Sequence, residues 1–402
     1  MGVVVKGSCM LSDKTIEIVK STVPLLAEAG TVVTEHFYKR MFSHNPELQD
    51  IFNMTNQRSG RQQFALFNAL AAYAQNIDNL AVLKETLARI NHKHASMYIL
   101  PEHYPIVGGH LIGTLKELLP EQFTAEVEYA WREAYALLAE ICISEEAAIY
   151  EHSKNNHGGW AGTREFVIAK KYRESELVTS FTLLPVDGKA VIAHKPGQYL
   201  GIKVKPVDAQ YSEIRQYSIS QQSNGENYRI SVKQELQPAA GVVSNYLHTL
   251  DEGSVIELYP PAGDFFLRAN NTPVVLISAG VGQTPMLAML QTLLSDKSNQ
   301  KVTYLHACEN EQQHSFSDFL SAQASAHSRL NYYTWFNHGG DGADFTGLMD
   351  VSLVAEQLPL AQGDFYICGP TGFMAAIKQQ LLALSVDSTR IHYEVFGPHQ
   401  DI

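Results

Sequence analysis

The chain has 402 residues, 45% of them apolar and 18% charged, with a formal charge of −12. That length exceeds one ordinary core and predicts two or three domains, and the apolar content excludes a disordered chain. The acidic balance, with no basic run to offset it, argues against a nucleic-acid surface and an anionic membrane face, since both need local positive potential.

Four cysteines, Cys9, Cys142, Cys308 and Cys368, form no C-x-x-C pair. Their scatter suits a reducing compartment and suggests neither a disulfide framework nor a zinc site. The opening MGVVVKGSCML has no basic region followed by a long apolar core, and Lys6 stands where a myristoylation pattern needs Ser or Thr. The most apolar later stretch, PVVLISAGVGQTPMLAML, is broken by Gly, Gln and Pro and is no membrane span. The expectation is a soluble, cytoplasmic protein.

Residues 12 to about 152 carry helical periodicity. Val33, Phe37 and Met41 form one stripe with Thr34, Tyr38 and Phe42 beside it; Phe64, Phe67, Leu70 and Ala71 form a second; Trp131, Tyr135, Leu138 and Cys142 a third. Pro46, Pro101 and Pro105 punctuate the helices. Within this region ARINHKHASMY, residues 88–98, holds two histidines two positions apart. That spacing turns their side chains roughly 200° apart on a helix, so they cannot share a ligand. The stripe Leu83, Leu87, Ile90 continues to His94 and Met97, which points His94 inward and His92 to water. Buried imidazoles that simply bond a backbone carbonyl are common, so this position alone establishes no chemistry.

Near NNHGGWAGT, residues 155–163, the composition turns to Gly and Asn and the period changes. Runs such as FVIAKKY and LVTSFTLLP, a VDGK hairpin turn, then QYSIS and YRISVK alternate as strands. Six short strands in about 110 residues, with one helix at VVSNYLHTL, predict a small closed barrel, which removes exposed edges. From Thr272 onward PVVLISAG, KVTYLHA, NYYTWF, DFYICG and RIHYEVF read as buried strands, several followed by helices. Strand and helix in alternation predict a doubly wound parallel sheet.

In that last segment a buried strand ends at Gly280, turns through Gly282 and Thr284 and enters a helix at Pro285. Such a turn presents free backbone amides and a positive helix end to a phosphate. It lacks the third glycine of the common dinucleotide fingerprint and the Lys-Ser of a P-loop. A second turn, Cys368, Gly369 and Pro370, ends another strand on the side where open α/β sheets bind ligands. In the barrel, RQYSIS offers Arg215 as a fork for pyrophosphate, Tyr217 as a stacking face and Ser218 as a small donor. Strand alternation puts Arg215 and Tyr217 on one face and Ser218 on the other. An exposed strand with a surface Arg and Tyr is the plainer alternative.

Taken in order, PGQY, RQYS, GVVSNYL, AGVGQTPM, YICGP and YEVFGP resemble the ferredoxin–NADP reductase-like FAD and NAD(P)H module. A reductase of this kind needs an acceptor: nicotinamide gives two electrons as hydride, a metal centre takes one, and a flavin serves both. The helical stretches HFYKRMF, NPELQDIFNM, QQFALFNALAAYA, INHKHASMYIL, HYPIVGGHLI and AWREAYALLAEICISEEAAIY resemble a bacterial globin. The fusion is similar to the flavohaemoglobin family from about Leu11 to Ile402.

The resemblance implies an all-α globin domain at 10–152, an antiparallel β-barrel FAD domain at 160–270 and a doubly wound α/β NAD(P)H-binding domain at 271–402, with haem b, FAD and NADH or NADPH as cofactors. It makes His94 the proximal haem ligand, with Tyr104 and Glu146 behind it, an arrangement that strengthens the imidazole as a donor. Tyr38 would donate to bound O2, with Gln62 and Leu66 lining that pocket and Phe52 packing on the porphyrin. FAD would be held by Tyr199, Arg215, Gln216, Tyr217 and Ser218 together with Val395, Phe396, Gly397 and Pro398, Phe396 stacking on the ring system. The nicotinamide cofactor would lie on Gly280, Val281, Gly282, Gln283, Thr284 and Pro285. Lys93 and Glu394 match positions that tune the cofactor potentials. Val395 stands where many relatives have cysteine, about ten extra residues precede the region of resemblance, and the loop at LLPEQFTAE is slightly longer. Read without the family, Tyr38 could be a core tyrosine, and Glu145 and Glu146 a solvated helix end.

The implied activity is nitric oxide dioxygenation, NO and O2 giving nitrate at a haem reduced by NAD(P)H through FAD, in a monomer that needs no protein partner, nucleic acid or membrane. The alternatives are a haem-dependent peroxide or NO reductase, and an O2- or NO-binding sensor whose reductase keeps the iron ferrous.

Overall fold

Ser12 starts the helical region: its Oγ accepts the Thr15 N–H at 3.1 Å, an N-cap that satisfies one of the free amides of the first turn. The computed structural model describes residues 11–52, 61–207, 209–236, 240–295, 299–339 and 342–397. Two compact units emerge, Met1–Lys154 with Ala209–Ile214, and Asn155–Asp208 with Arg215–Ile402.

In the first unit the helices are α1 (Asp13–Ser21), α2 (Val23–Ala29), α3 (Thr31–His44), α4 (Arg61–Gln75), α5 (Lys84–Ala95), α6 (His103–Leu118) and α7 (Ala125–Asn155). Their boundaries follow from local chemistry. Gly30, at φ 55°, separates α2 from α3, and Pro46 opens a single 3-10 turn, Pro46–Asp50, after Asn45 closes α3. Phe37, Tyr38 and Met41 of α3, Tyr73 of α4, Leu111 and Leu115 of α6 and Trp131 of α7 form the main core. A smaller cluster gathers Ile99, Tyr104, Ala139 and Cys142. Half-buried Ile51, Tyr135 and Leu138 pack against both.

The second unit begins with a six-stranded antiparallel sheet in the order β4-β3-β6-β1-β2-β5, with β1 Arg164–Arg173, β2 Val178–Pro185, β3 Tyr199–Val204, β4 Glu213–Ser218, β5 Tyr228–Lys233 and β6 Val255–Leu258. Helix α8 (Val242–Thr249) follows β5. Ile219, just past β4, bridges to Ile230 in β5, so the two edges of the sheet meet and the barrel closes. The VDGK turn forms, with Gly188 at φ 65°, but it is not the hairpin expected from the sequence. Residues 190–198 carry no regular strand, and β3 pairs with β6 and not with β2. Val191 and Ile192 are spent filling the barrel core, and Tyr228 donates its hydroxyl to the Ile192 carbonyl at 2.7 Å, where a ladder partner would otherwise sit.

The α/β part is β7 (Val274–Ala279), α9 (Gln283–Ser295), β8 (Val302–Cys308), α10 (Ser317–Ala326), β9 (Leu330–Phe336), β10 (Phe345–Thr346), β11 (Asp364–Cys368), α11 (Thr371–Ala383) and β12 (Ile391–Glu394). All neighbours in the order β10-β9-β8-β7-β11-β12 run parallel. The order reverses between β7 and β11, and a crevice opens beyond the carboxyl ends of strands at such a switch point. The α, antiparallel β and α/β textures expected from the sequence are all present. Among the described residues no helix is long and apolar enough to cross a membrane.

Candidate functional site

His94 sits in the last turn of α5 with its side chain 30% exposed. Its Nδ1 lies 2.7 Å from Glu146 Oε1 and 3.2 Å from the Tyr104 hydroxyl, and Tyr104 donates to the same Glu146 oxygen at 2.6 Å. Glu146 comes from the middle of α7 and is 2% exposed, whereas Glu145 beside it faces solvent. Neither is a helix end. A buried carboxylate costs several kcal/mol unless it is hydrogen-bonded, and here the imidazole N–H and the phenol supply two donors. The His94 Nε2 bonds to nothing among the described residues, so one ring nitrogen is held and the other is open.

Tyr104 is fixed in turn. Its carbonyl accepts the Tyr135 hydroxyl at 2.7 Å, and the Tyr135 ring occupies the space that a Cβ at Gly108 would fill. Burial pushes the Tyr104 phenol far above its ordinary range, with Cys142 and Glu146 adding to the shift, so it stays a donor. The Cys142 thiol, itself pushed up to about 12 by burial and then by Glu146, is buried in the same small cluster as Tyr104. Sequence reading missed Tyr135 and Cys142 as partners, although both lie on the α7 stripe. It also placed His92 in water. His92 is half-buried, because the turn it shares with buried Asn91 and Ala95 is covered on more than one side.

Tyr38 lies in the core, its ring 5.0 Å from Phe37, 5.9 Å from Phe42 and 6.0 Å from Phe52. Leu66 of α4 and Phe52 are half-buried against the same cluster. Gln62 belongs to α4, but its side chain lies outside the described residues. Lys93 is half-buried beside His94. A flat apolar group with one axial metal position fits this donor set: a lone open imidazole nitrogen, a carboxylate behind it, and apolar and aromatic side chains on the flanks.

In the barrel, Tyr199 on β3 is buried and its ring covers Gly263, while Arg215, Gln216, Tyr217 and Ser218 follow one another on β4. Tyr217 packs against the barrel core, and Ser218 is buried. Burial pushes the Tyr217 phenol up, and the Arg215 guanidinium partly offsets this.

The two glycine turns sit side by side. Gly280, Val281 and Gly282 form one 3-10 turn after β7, and α9 starts directly at Gln283, two residues before the start expected at Pro285. Gly280 has φ 52°. A Cβ at Gly282 would overlap the Cys368 carbonyl and stand 2.6 Å from the Gly369 nitrogen, so the close approach of the two turns requires glycine there. Thr284 Oγ1 donates to the Val281 carbonyl at 3.0 Å, bracing the turn. Gln283 is 1% exposed, and its Oε1 has no partner among the described residues. An orphaned acceptor beside amides at the switch point fits a nucleotide. Glu394 ends β12 opposite Cys368, Val395 packs on the sheet core, and Phe396 is exposed. Gly397 has φ 137°, and Pro398 lies outside the described residues.

Family models match three stretches: Globin at residues 35–142, Oxidoreductase FAD-binding domain at 165–267 and Oxidoreductase NAD-binding domain at 276–379. The chain is 52% identical over 396 residues to the flavohemoprotein of Vibrio cholerae serotype O1, covering 98% of this chain and 100% of that one. It belongs to the flavohemoprotein family. Among flavohemoprotein structures it is similar to the crystal structure of flavohemoglobin from Malassezia yamatoensis with bound FAD and heme. The TM-score there is 0.88 at 28% identity, over 96% of this chain and 100% of that one. It also resembles the FAD/NAD-binding domain of nitric oxide dioxygenase from Vibrio cholerae O1 biovar El Tor, with TM-score 0.56 at 48% identity, over 58% of this chain and 99% of that one. A flavohemoprotein therefore combines, in one chain, the open imidazole of the helical unit and the paired glycine turns of the α/β sheet.

Proposed function

We propose that this chain is a nitric oxide dioxygenase that converts NO and O2 to nitrate with electrons from NADH or NADPH, working in the cytoplasm as a monomer without a protein partner. The carrying observation is the His94–Tyr104–Glu146 triangle, with the opposite imidazole nitrogen open, in a flavohemoprotein chain that also holds both nucleotide-binding turns. When bound, haem b supplies the one-electron centre for oxygen chemistry, and FAD divides a hydride into single electrons. The domain division in this reading is 10–152 for haem, 160–270 for FAD and 271–402 for NAD(P)H.

Within it His94 would hold the haem iron through Nε2. Glu146 accepts the Nδ1 proton, fixes the tautomer and raises the ring's donor strength, while Tyr104 holds the carboxylate in place. Tyr38 would donate a hydrogen bond to the oxygen substrate, with Gln62 and Leu66 lining that pocket and Phe52 packing on the porphyrin. Arg215, Gln216, Ser218 and Tyr199 orient the flavin nucleotide, and Tyr217 and Phe396 offer it aromatic faces, Phe396 from the turn Val395, Gly397 and Pro398. Gly280, Val281, Gly282, Gln283, Thr284 and Pro285 receive the pyridine nucleotide with backbone amides and the start of α9. Lys93 and Glu394 place one positive and one negative charge where they bias the two redox centres. Stopped-flow mixing of the purified protein with NADH, O2 and NO, following flavin, haem and nitrate together, tests the reading. Stoichiometric nitrate at catalytic rate is expected; slow or substoichiometric nitrate would turn the assignment to peroxide or NO reduction.

A further inference from the structure

Phe316, the residue before α10, is buried and has φ 59° and ψ 20°, in the left-handed region that bulky side chains avoid. Such a conformation persists only where its surroundings fix it. Here the guanidinium of Arg229 on β5 lies over the ring, 5.5 Å from its centroid, within the reach of a cation–π contact. Arg229 is held from behind. Its Nε donates to the Ser220 Oγ at 3.1 Å, and its Nη2 donates to the Ser220 carbonyl. Ser180 donates to Glu174 Oε1 at 2.6 Å, and the hydroxyls of Ser180, Ser231 and Ser220 stand 2.8 and 2.7 Å apart in series. A hydroxyl has one proton, so Ser231 gives its own to Ser180 and Ser220 gives its own to Ser231. The Ser220 oxygen is thereby left to accept from Arg229. All three serines are buried, and in such low-dielectric surroundings the bonds of a chain running from carboxylate to guanidinium reinforce one another.

The two ends of this clamp belong to the two halves of the reductase. Ser220 lies two residues past Ser218, the last residue of β4. Phe316 shares a buried cluster with Leu276 of β7 and Leu287 of α9, the elements on either side of the Gly280–Gly282 turn, and β5 itself meets that turn. Neutral bonds support the same junction, among them Ser315 Oγ to Ser175 Oγ at 2.8 Å and the Gln222 N–H to Gln291 Oε1 at 2.9 Å. Arg229 adds a charged contact, and charge-assisted bonds are roughly twice as strong as neutral ones. We infer that Arg229 is a positioning residue for hydride transfer, fixing the separation between β4 and the nicotinamide turn through Ser220 and Phe316. The inference rests on the proposed route from NADH or NADPH to FAD. The step served moves a hydride, two electrons with one proton, from C4 of the dihydronicotinamide to N5 of the flavin, leaving an oxidised nicotinamide and a reduced flavin. A misplacement of about 1 Å can cost such a step roughly 10²-fold.

Arg229→Met keeps the aliphatic stem and removes the fork. Hydrogen exchange of the full chain loaded with haem and FAD, without nicotinamide, provides the first readout: amides of α10 should exchange several-fold faster than in the parent chain, with those of β1 unchanged. Anaerobic stopped-flow reduction of the flavin provides the second. The limiting rate should fall about 10–100-fold, while the NADH concentration for half-saturation and the flavin midpoint potential stay as they are. Phe316→Leu removes the ring under the guanidinium, keeps the apolar filling and should reproduce both effects; it serves alone if Arg229→Met loses FAD. An unchanged limiting rate, unaltered exchange in α10, or a rate loss explained by a shifted flavin potential would overturn the inference. Rapid flavin reduction in the parent chain without nitrate production would leave the positioning role standing and remove only the dioxygenase reading.

Discussion

Glu146, buried in the middle of α7, accepts the Nδ1 hydrogen bond of His94 on α5 at 2.7 Å. Carboxylate behind imidazole makes the ring partly anionic and favours the higher oxidation state of a metal on Nε2. Glu146→Gln should therefore raise the haem reduction potential and lower NO turnover by roughly 10–100-fold, while haem uptake persists. Spectroelectrochemical titration beside an NO-consumption assay checks this; unchanged values in both would end the role given to Glu146.

His94→Ala should remove the Soret band and all NO consumption. Both nucleotide-binding regions lie in the other compact unit, so NADH should still bleach the flavin at its normal rate. Rapid-mixing spectra of the variant read the two events separately.

Replacing Tyr38 by phenylalanine deletes one hydroxyl and keeps the ring packed among Phe37, Phe42 and Phe52. Loss of a single well-placed donor to developing charge costs roughly 10²–10³ in rate. NO dioxygenation should fall by about that factor, with NADH–ferricyanide activity unaltered. A sensor whose reductase only maintains ferrous iron would show little change in either.

Gly282→Ala sets a Cβ 2.5 Å from the Cys368 carbonyl carbon, so the two turns must part. The expected result is a raised KM for NADH and slower flavin reduction with full FAD content, measured by stopped-flow reduction against NADH concentration.

Acid should weaken the reductase unit through histidines held neutral. Burial lowers His306 to about 3 and His194 to about 4, from 6.5 in the unfolded chain. The unfolded state then binds more protons below pH 6.5, so the stabilisation present above that value is lost as pH falls toward the folded values. At pH 5 each histidine should account for a loss on the order of 2 kcal/mol. Urea midpoints followed by flavin fluorescence between pH 7.5 and 5 test the slope, and His306→Asn should flatten it.

Much of this was legible in the residues, for reasons that differ by element. The helical stripe that carried His94 inward is a direct product of 3.6-residue periodicity. Glu146 was harder, because Glu145 and Glu146 look alike until burial separates them, and one turn beyond Cys142 on the stripe Trp131, Tyr135, Leu138 and Cys142 falls between the two. The α/β turns were readable because glycine is dictated by local geometry, at Gly280 by φ and at Gly282 by the neighbouring strand. The VDGK segment misled because a good turn sequence fixes a turn and leaves the pairing of the residues after it to the barrel core. The Tyr135-to-Tyr104 contact joins residues 31 positions apart, beyond any local pattern.

That contact makes the imidazole's setting a property of two helices. With the Tyr135 ring seated over Gly108 and its hydroxyl on the Tyr104 backbone, α6 and α7 are locked in one register, and the phenol and carboxylate behind His94 are carried by that lock. An engineer transplanting the trio into another scaffold would obtain loose side chains; the smallest portable piece is the whole α6–α7 hairpin, glycine notch included, together with α5, which brings the imidazole.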